Sequence, residues 1–384
     1  MNILLVTHVD FWKLEMGSHQ RIYALINFLS KNHIVYIAYI NKKKQEDKEC
    51  LVKFPKLNIL FVDEFKKTNF DKNKNEKFHI QYPVLKNFYN EEIFYKLNTI
   101  SLEYQFECVI IEYLHLSYFL PLFETKFLLL DTHDIMYKRT ESFKKNNKAH
   151  WLEINEKEEI EIFKLYNNVI TIQETEQELL ISKNIKSICC PHPEKVNYLY
   201  KKQENISKNH IIFIGGYSMA NKDAIDWFLD NVWNFFKNND NIDLLIYGNV
   251  SSFFKHFDTN GNNILIKGKV ENLQEVYENA TIAINPVQMG GGLKIKNIEA
   301  MSFGIPLITT TEGAKGLEKG INNSFLLANS IDEWIKTLLN LLLYPKLRES
   351  LSMQAYKYIS KNFNESKSFS QLEDLLKKVD KELN

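Results

Sequence analysis

The chain has 384 residues, of which 45% are hydrophobic and 25% charged; this is ordinary for a soluble globular protein and long enough for two or three domains. Lys plus Arg and Asp plus Glu both number 48, so the formal net charge is zero. Chains that grip duplex nucleic acid through its phosphates are usually basic overall, so this balance argues against nucleic acid as a partner. The four cysteines, Cys50, Cys108, Cys189 and Cys190, form no CxxC pair, which supports neither a zinc ribbon nor a disulfide framework and makes a reducing cytoplasm the default. The N-terminus lacks a basic leader and meets Asp10 early, unlike a signal peptide. The most lipid-like stretch, 114–130, contains His115, Pro121, Glu124 and Lys126 and reads as no membrane span.

In chain order, 2–7 (NILLVT) is an apolar run of strand length, and 17–29 has helical spacing at Ile22, Leu25, Ile26 and Leu29. Strands are predicted at 34–40, 59–62, 109–111, 127–130 and 169–172, with helices at 148–165 and 174–183; the Lys/Asn-rich stretch 64–77 reads as a solvated loop. Pro191-His192-Pro193 and the polar run to Lys208 read as an exposed connector. The alternation then restarts, with strands at 210–214, 243–247, 264–266, 281–284, 306–309 and 325–327. Helices fit at 223–236, 272–279, 293–303, 331–343 and 346–361, and a last amphipathic helix, 368–383, is suited to pack back on the first block. Continuous apolar strands separated by helices indicate parallel sheets covered on both faces. The expected fold class is therefore α/β, with two Rossmann-like doubly wound domains facing across a cleft: 1–195 with the C-terminal helix 368–384, and 205–367. The neutrality hides a cancellation: residues 1–100 carry net +5 and 101–200 net −5, while 201–384 balance. Two solvated faces are the first reading. The second is a basic face in peripheral contact with an anionic membrane.

In doubly wound sheets ligands bind beyond the carboxyl ends of the strands, and the richest loop of that kind is INPVQMGGGLKIKNIEAMSFGIPLITTT, 284–311. Gly290, Gly291 and Gly292 open the next helix, where backbone N–H groups and the helix dipole favour an anion. Lys294 and Lys296 in the first turn oppose that dipole, which makes sense if a di-anion such as a diphosphate neutralises them. Glu299 lies on the same helix face as Lys296 and can accept two hydrogen bonds from a ribose diol. His133 closes the strand FLLLDTHD and can contact a sugar or position an acceptor hydroxyl, with Asp131 or Asp134 to orient it. Arg21, one turn into the first helix, reads first as a surface arginine. No GxGxxG follows the first strand, and no D-x-D pair, GxSxG or P-loop is present.

The run GGGLKIKNIEAMSFGIPLITT resembles the donor-site signature of family 4-type glycosyltransferases of the GT-B fold. HIIFIGGYSMANKDAIDWFLDNV, KGKVENLQEVYENATIAINP, LLDTHDIMYKR and MGSHQR resemble other segments of that family in the same order. The resemblance implies transfer of a sugar from a nucleotide-diphosphate donor, UDP- or GDP-linked, to an acceptor hydroxyl with retention. The acceptor would be a glycan, a lipid-linked glycan or a protein, and the location cytoplasmic, with the inner face of the membrane as the peripheral site. It implies no resident cofactor and no metal. Gly17, Gly215 and Gly216 would border the donor phosphates, Val270 would bind the base through its backbone, and Glu299 would hold the ribose. Many members carry two glutamates with seven residues between them; the second matches Glu299, but the first matches Gly291. The donor-sugar contact would then fall to backbone N–H groups of Gly291–Leu293, and charge on the diphosphate to Lys296 and Lys294. Two alternatives stay open: a nucleotide-sugar 2-epimerase on the same fold, and a non-catalytic partner subunit.

Overall fold

The computed structural model describes all residues except 46, 125, 200–207, 256–261, 271 and 384. The chain divides into two units, Met1–Pro191 with Phe369–Asn384, and His192–Ser368. In the first unit the strands are β1 (Asn2–Thr7), β2 (Ile34–Tyr39), β3 (Asn58–Phe61), β4 (Cys108–Glu112), β5 (Phe127–Asp131), β6 (Asn168–Thr171) and β7 (Ser187–Cys189). They form one sheet in the order β3-β2-β1-β4-β5-β6-β7, with parallel pairing throughout. In the second unit β8 (Asn209–Ile214), β9 (Ile242–Tyr247), β10 (Ile264–Gly268), β11 (Ile282–Asn285), β12 (Leu307–Thr309) and β13 (Leu326–Leu327) form a sheet ordered β10-β9-β8-β11-β12-β13, again parallel. In both sheets the strand order reverses beside the first strand of the unit, which places loop-borne ligand groups at the carboxyl ends of the central strands.

The continuous apolar runs are explained by burial on both faces. In β1, Leu4 and Val6 pack into one side-chain layer and Ile3 and Leu5 into the other. All four are fully buried, and each such side chain stabilises the fold by about 1.5–3 kcal/mol. The C-terminal helix Glu365–Leu383 adds Phe369, Leu372 and Leu376 to the layer that holds Ile3, Leu5 and Leu25. Phe369 stacks on Phe28 with ring centroids 4.6 Å apart. The second core centres on Ile211, Phe213, Phe228, Ile246 and Trp334.

Several expectations shift. The stretch 148–165 is helical only over Glu156–Phe163, where Asn155 and Glu158 form a capping box that starts the helix. Residues 64–77 are not all loop, because Asp71 accepts hydrogen bonds from the backbone N–H groups of Asn73 and Lys74 and starts helix Lys72–Gln81. Ser218 caps helix Met219–Asn231, which therefore begins before 223. The connector after Pro191 is fastened rather than exposed over its first part. Within the second unit Glu194 N–H donates to the Phe363 carbonyl, and Asn197 and Leu199 N–H to those of Ser302 and Phe303, at 2.7–3.1 Å. The polar run 200–207 lies outside the described residues. All four cysteines are free and buried. No helix among the described residues is long and apolar enough to cross a membrane.

Candidate functional site

In the second unit the loop after β11 leads through Gly290, Gly291 and Gly292 to helix Ile295–Ser302, with Lys294 as its N-cap. The helix thus starts later than Gly292. Gly290 and Gly292 have φ of 134° and 62°, backbone that side chains of L-residues resist. Lys294 folds back over this loop, its Nζ donating to the Gly291 carbonyl at 2.5 Å and the Gly292 carbonyl at 2.9 Å. Leu293 is buried. The loop is braced from beneath by Asn297, fully buried, whose Oδ1 accepts from Asn285 at 2.9 Å and whose Nδ2 donates to the Gly313 carbonyl at 2.8 Å.

Lys296 takes a different course. Its Nζ donates to Asn221 Oδ1 at 2.7 Å and lies 4.3 Å from the centroid of the Phe213 ring. Burial, and secondarily Lys294, lowers its pKa to about 7. Asn221 in turn donates through Nδ2 to the Gly216 carbonyl at 2.9 Å. One asparagine therefore joins the turn after β8 to the lysine at the head of the helix after β11. The close approach needs glycine: a Cβ at Gly215 would stand 2.7 Å from the Phe213 ring, and one at Gly248 (φ 86°) 2.4 Å from the Gly215 carbonyl oxygen. Lys222 pairs with Asp226, and the cation beside Asn221 comes from Lys296, 75 residues on.

Glu299 is buried, 6% exposed, and its Oε1 accepts from the Tyr277 hydroxyl at 2.7 Å. Glu194 belongs to the same acidic neighbourhood: burial, then the charge of Glu299, pushes its pKa up to about 8. Val270 is half-buried and follows Lys269, which with Tyr217, Asn249, Lys255 and Lys267 lines a groove of about 960 Å³ at the ends of β9 and β10.

The first unit carries a separate cluster at the carboxyl ends of β4 and β5. Glu112 and Asp131 are register partners across these strands, and both are fully buried. Arg21 is not a surface residue. It is 3% exposed and donates Nη2 to Asp131 Oδ1 at 2.7 Å, Nε to Oδ2 at 3.0 Å and Nη1 to the Cys190 carbonyl at 2.7 Å. An arginine can be buried here because its fork is matched to a carboxylate and a carbonyl. His133, 8% exposed, has its Nε2 2.6 Å from Glu112 Oε2 and 3.8 Å from Asp131 Oδ2. Its ring stacks on Tyr113 at 4.0 Å. Asp134 instead pairs with Arg139. The partner of His133 is thus Glu112, which sequence reading missed, although a carboxylate ending the apolar run CVIIE was a signal. Burial, then Asp131, raises the pKa of Glu112 to about 7. His8 and His115 lie nearby with ring centroids 4.9 Å apart. Burial holds them neutral: His8, which also feels His133, falls to about 4 and His115, which also feels His8, to about 3. Gly17 is the first residue of helix Gly17–Leu29, which carries Arg21.

Residues 208–343 match the family described as Glycosyl transferases group 1. Among curated proteins, the chain is similar to an "Uncharacterized 44.6 kDa protein in cps region" of Klebsiella pneumoniae, 25% identical over 201 residues. That match covers 50% of this chain and 52% of the relative, so the chain spans about half the length of the relative it matches. Among solved structures, the sucrose-phosphate synthase of Thermosynechococcus elongatus superposes with a TM-score of 0.71 at 13% identity, covering 99% of each chain. A TarM variant of S. aureus, solved with Fondaparinux, alpha-GlcNAc-glycerol and UDP, gives 0.72 at 12% identity over 97% of this chain and 99% of its own. HepE of Anabaena, solved with UDP and glucose, gives 0.69 at 11% identity over 98% and 99%. These likenesses establish the two-domain GT-B fold.

Proposed function

We propose that this chain, whose residues 208–343 match the group 1 glycosyltransferase family, transfers a sugar from a nucleotide-diphosphate donor to a glycan hydroxyl with retention. The observation that carries this reading is the Lys296–Asn221–Gly216 chain of hydrogen bonds, which sets a lysine at the head of a helix against a glycine turn. A diphosphate there would be met by the Lys296 ammonium, by N–H groups of Gly215-Gly216 and Gly290–Leu293, and by the dipole of helix Ile295–Ser302. Lys294, already reaching over the loop, would turn from its carbonyls to the phosphate. Glu299 would receive the ribose hydroxyls and the Val270 backbone the base.

The chemical work assigned to these groups is stabilisation of the charge that develops on the departing diphosphate. Fixed donors in a site shielded from water are worth more there than in solution. Lysine and backbone supply that charge, so the reaction proceeds without a metal. The family resemblance assigns His133 a contact to the transferred sugar and Gly17 one to a donor phosphate. A UDP-sugar is the donor of choice, in keeping with the UDP in the S. aureus and Anabaena structures. The acceptor belongs to a surface glycan, in keeping with the cps region of the Klebsiella relative, and the work is done in the cytoplasm or at the inner face of the membrane.

A screen of UDP-, GDP-, ADP- and CMP-sugars by thermal shift and donor hydrolysis tests the proposal. One nucleotide class should raise the melting temperature and be hydrolysed slowly, undiminished by EDTA. No stabilisation by any nucleotide sugar would refute it. An isomerised nucleotide sugar formed from donor alone would replace it with the epimerase.

A further inference from the structure

We propose that Glu112 is a positioning residue for His133: it holds the imidazole by Nε2 and leaves Nδ1 as the nitrogen turned to substrate. The inference rests on the reading of His133 as a contact to the transferred sugar. Three observations carry it. Glu112 Oε2 is 2.6 Å from His133 Nε2, with both side chains more than nine-tenths buried, so the contact is neither screened by salt nor shared with solvent. The opposite face of the imidazole is fixed too, lying on the Tyr113 ring with planes 13° apart. Finally, Tyr113 and His133 follow β4 and β5 with φ of 69° and 58°, unusual backbone that brings the two rings together directly beyond the strand ends.

The charge arrangement separates the roles of the two carboxylates. Asp131 is engaged by the Arg21 fork, which leaves Glu112 to serve the imidazole. The second oxygen, Glu112 Oε1, is buried with no hydrogen-bond partner among the described residues. The charged and titratable groups around the pair are Asp131 from β5, Arg21 from helix Gly17–Leu29, and, beyond the ends of β1 and β4, His8 and Tyr113. One oxygen of Glu112, one of Asp131 and a ring nitrogen of His133 lie within 4.8 Å of one another, a spacing that also suits a divalent cation. The Arg21 guanidinium already seated on Asp131 opposes a second positive charge there.

The experiment is ¹⁵N NMR of histidine-labelled full-length protein at pH about 8, beside steady-state transfer kinetics. In the wild type the His133 proton should sit on Nε2. In Glu112→Ala that single tautomer should give way to a mixture, and Glu112→Asp should restore part of it. An unchanged Nε2 tautomer in a folded Glu112→Ala protein would overturn the proposal, whatever happens to activity. In transfer from the donor found by the screen, Glu112→Gln should lower kcat by about 10–100-fold and leave donor KM within about threefold. It should also remove an acid limb near pH 7 from the kcat profile. A rise in KM alone would refute positioning. If Glu112→Ala frees the tautomer but His133→Ala transfers at the wild-type rate, the pairing stands and the sugar contact of His133 fails. Zinc bound tightly by the wild type and lost in Glu112→Gln would overturn the proposal in favour of a metal centre.

Discussion

Binding of a nucleoside diphosphate should drive a proton onto Lys296. In the free protein burial and the neighbouring Lys294 lower its pKa to about 7, so at pH about 8 roughly a tenth of the molecules carry the ammonium. A diphosphate seated beside it would stabilise the charged form and return the pKa toward the ordinary lysine value of about 10, where the group is essentially fully protonated. The terminal phosphate of UDP is itself ionised at pH about 8, so the expected uptake is about 0.9 proton per nucleotide bound. Titration calorimetry measures it directly, because the observed enthalpy varies with buffer ionisation enthalpy at a slope equal to the protons taken up. Lys296→Arg provides the control: an arginine is always charged, so this variant should bind UDP with that uptake removed. A wild-type slope of zero, or an equal slope in Lys296→Arg, would show that Lys296 does not face the phosphates.

Glu299→Ala should weaken UDP binding by about tenfold or more, the effect of one or two charge-assisted hydrogen bonds to a ribose, beside a loss of stability of about 1–3 kcal/mol from the buried Tyr277 hydroxyl left without its acceptor. Equal affinity by calorimetry would remove Glu299 from the ribose. Arg21→Met should destabilise the first unit by about 3–5 kcal/mol, because it leaves the Asp131 carboxylate buried without its partner; a urea midpoint within error of wild type would contradict that. His8 and His115, held neutral in the fold with pKa near 4 and 3, bind protons more readily when unfolded. Their contribution to stability is therefore complete above about pH 6.5 and lost as the pH falls toward those values. Glu112, raised to about 7, acts in the opposite direction, so a single variant isolates one term. His115→Gln should show about 2 kcal/mol less loss of stability between pH 7 and 5 than wild type. Parallel stability curves for the two proteins would refute the buried neutral imidazole.

The architecture was legible in the sequence because its signals are local. A run such as NILLVT is apolar at every position, and only a parallel strand covered on both faces buries all of it. The glycines at 290–292 and Glu299 were likewise readable within one stretch, since left-handed backbone and a helix face are properties of neighbours in sequence. Chain boundaries of helices were less legible where a side-chain cap decides them, as Asn155 and Ser218 do.

The partners of the functional groups belong to the tertiary structure. Arg21 reaches Asp131 across 110 residues, and no local pattern separates a forked, buried arginine from a solvated one on an amphipathic helix. Glu112 meets His133 because β4 and β5 pair with Glu112 opposite Asp131, a register set by packing of the whole sheet. Lys296 finds Asn221 for the same reason, since β8 and β11 are neighbours in the second sheet although 75 residues separate the two side chains. Charge and hydrogen-bonding capacity are written residue by residue. Which carboxylate holds the imidazole, and which lysine gives up its proton, depend on burial and on distances that only the folded sheet order sets.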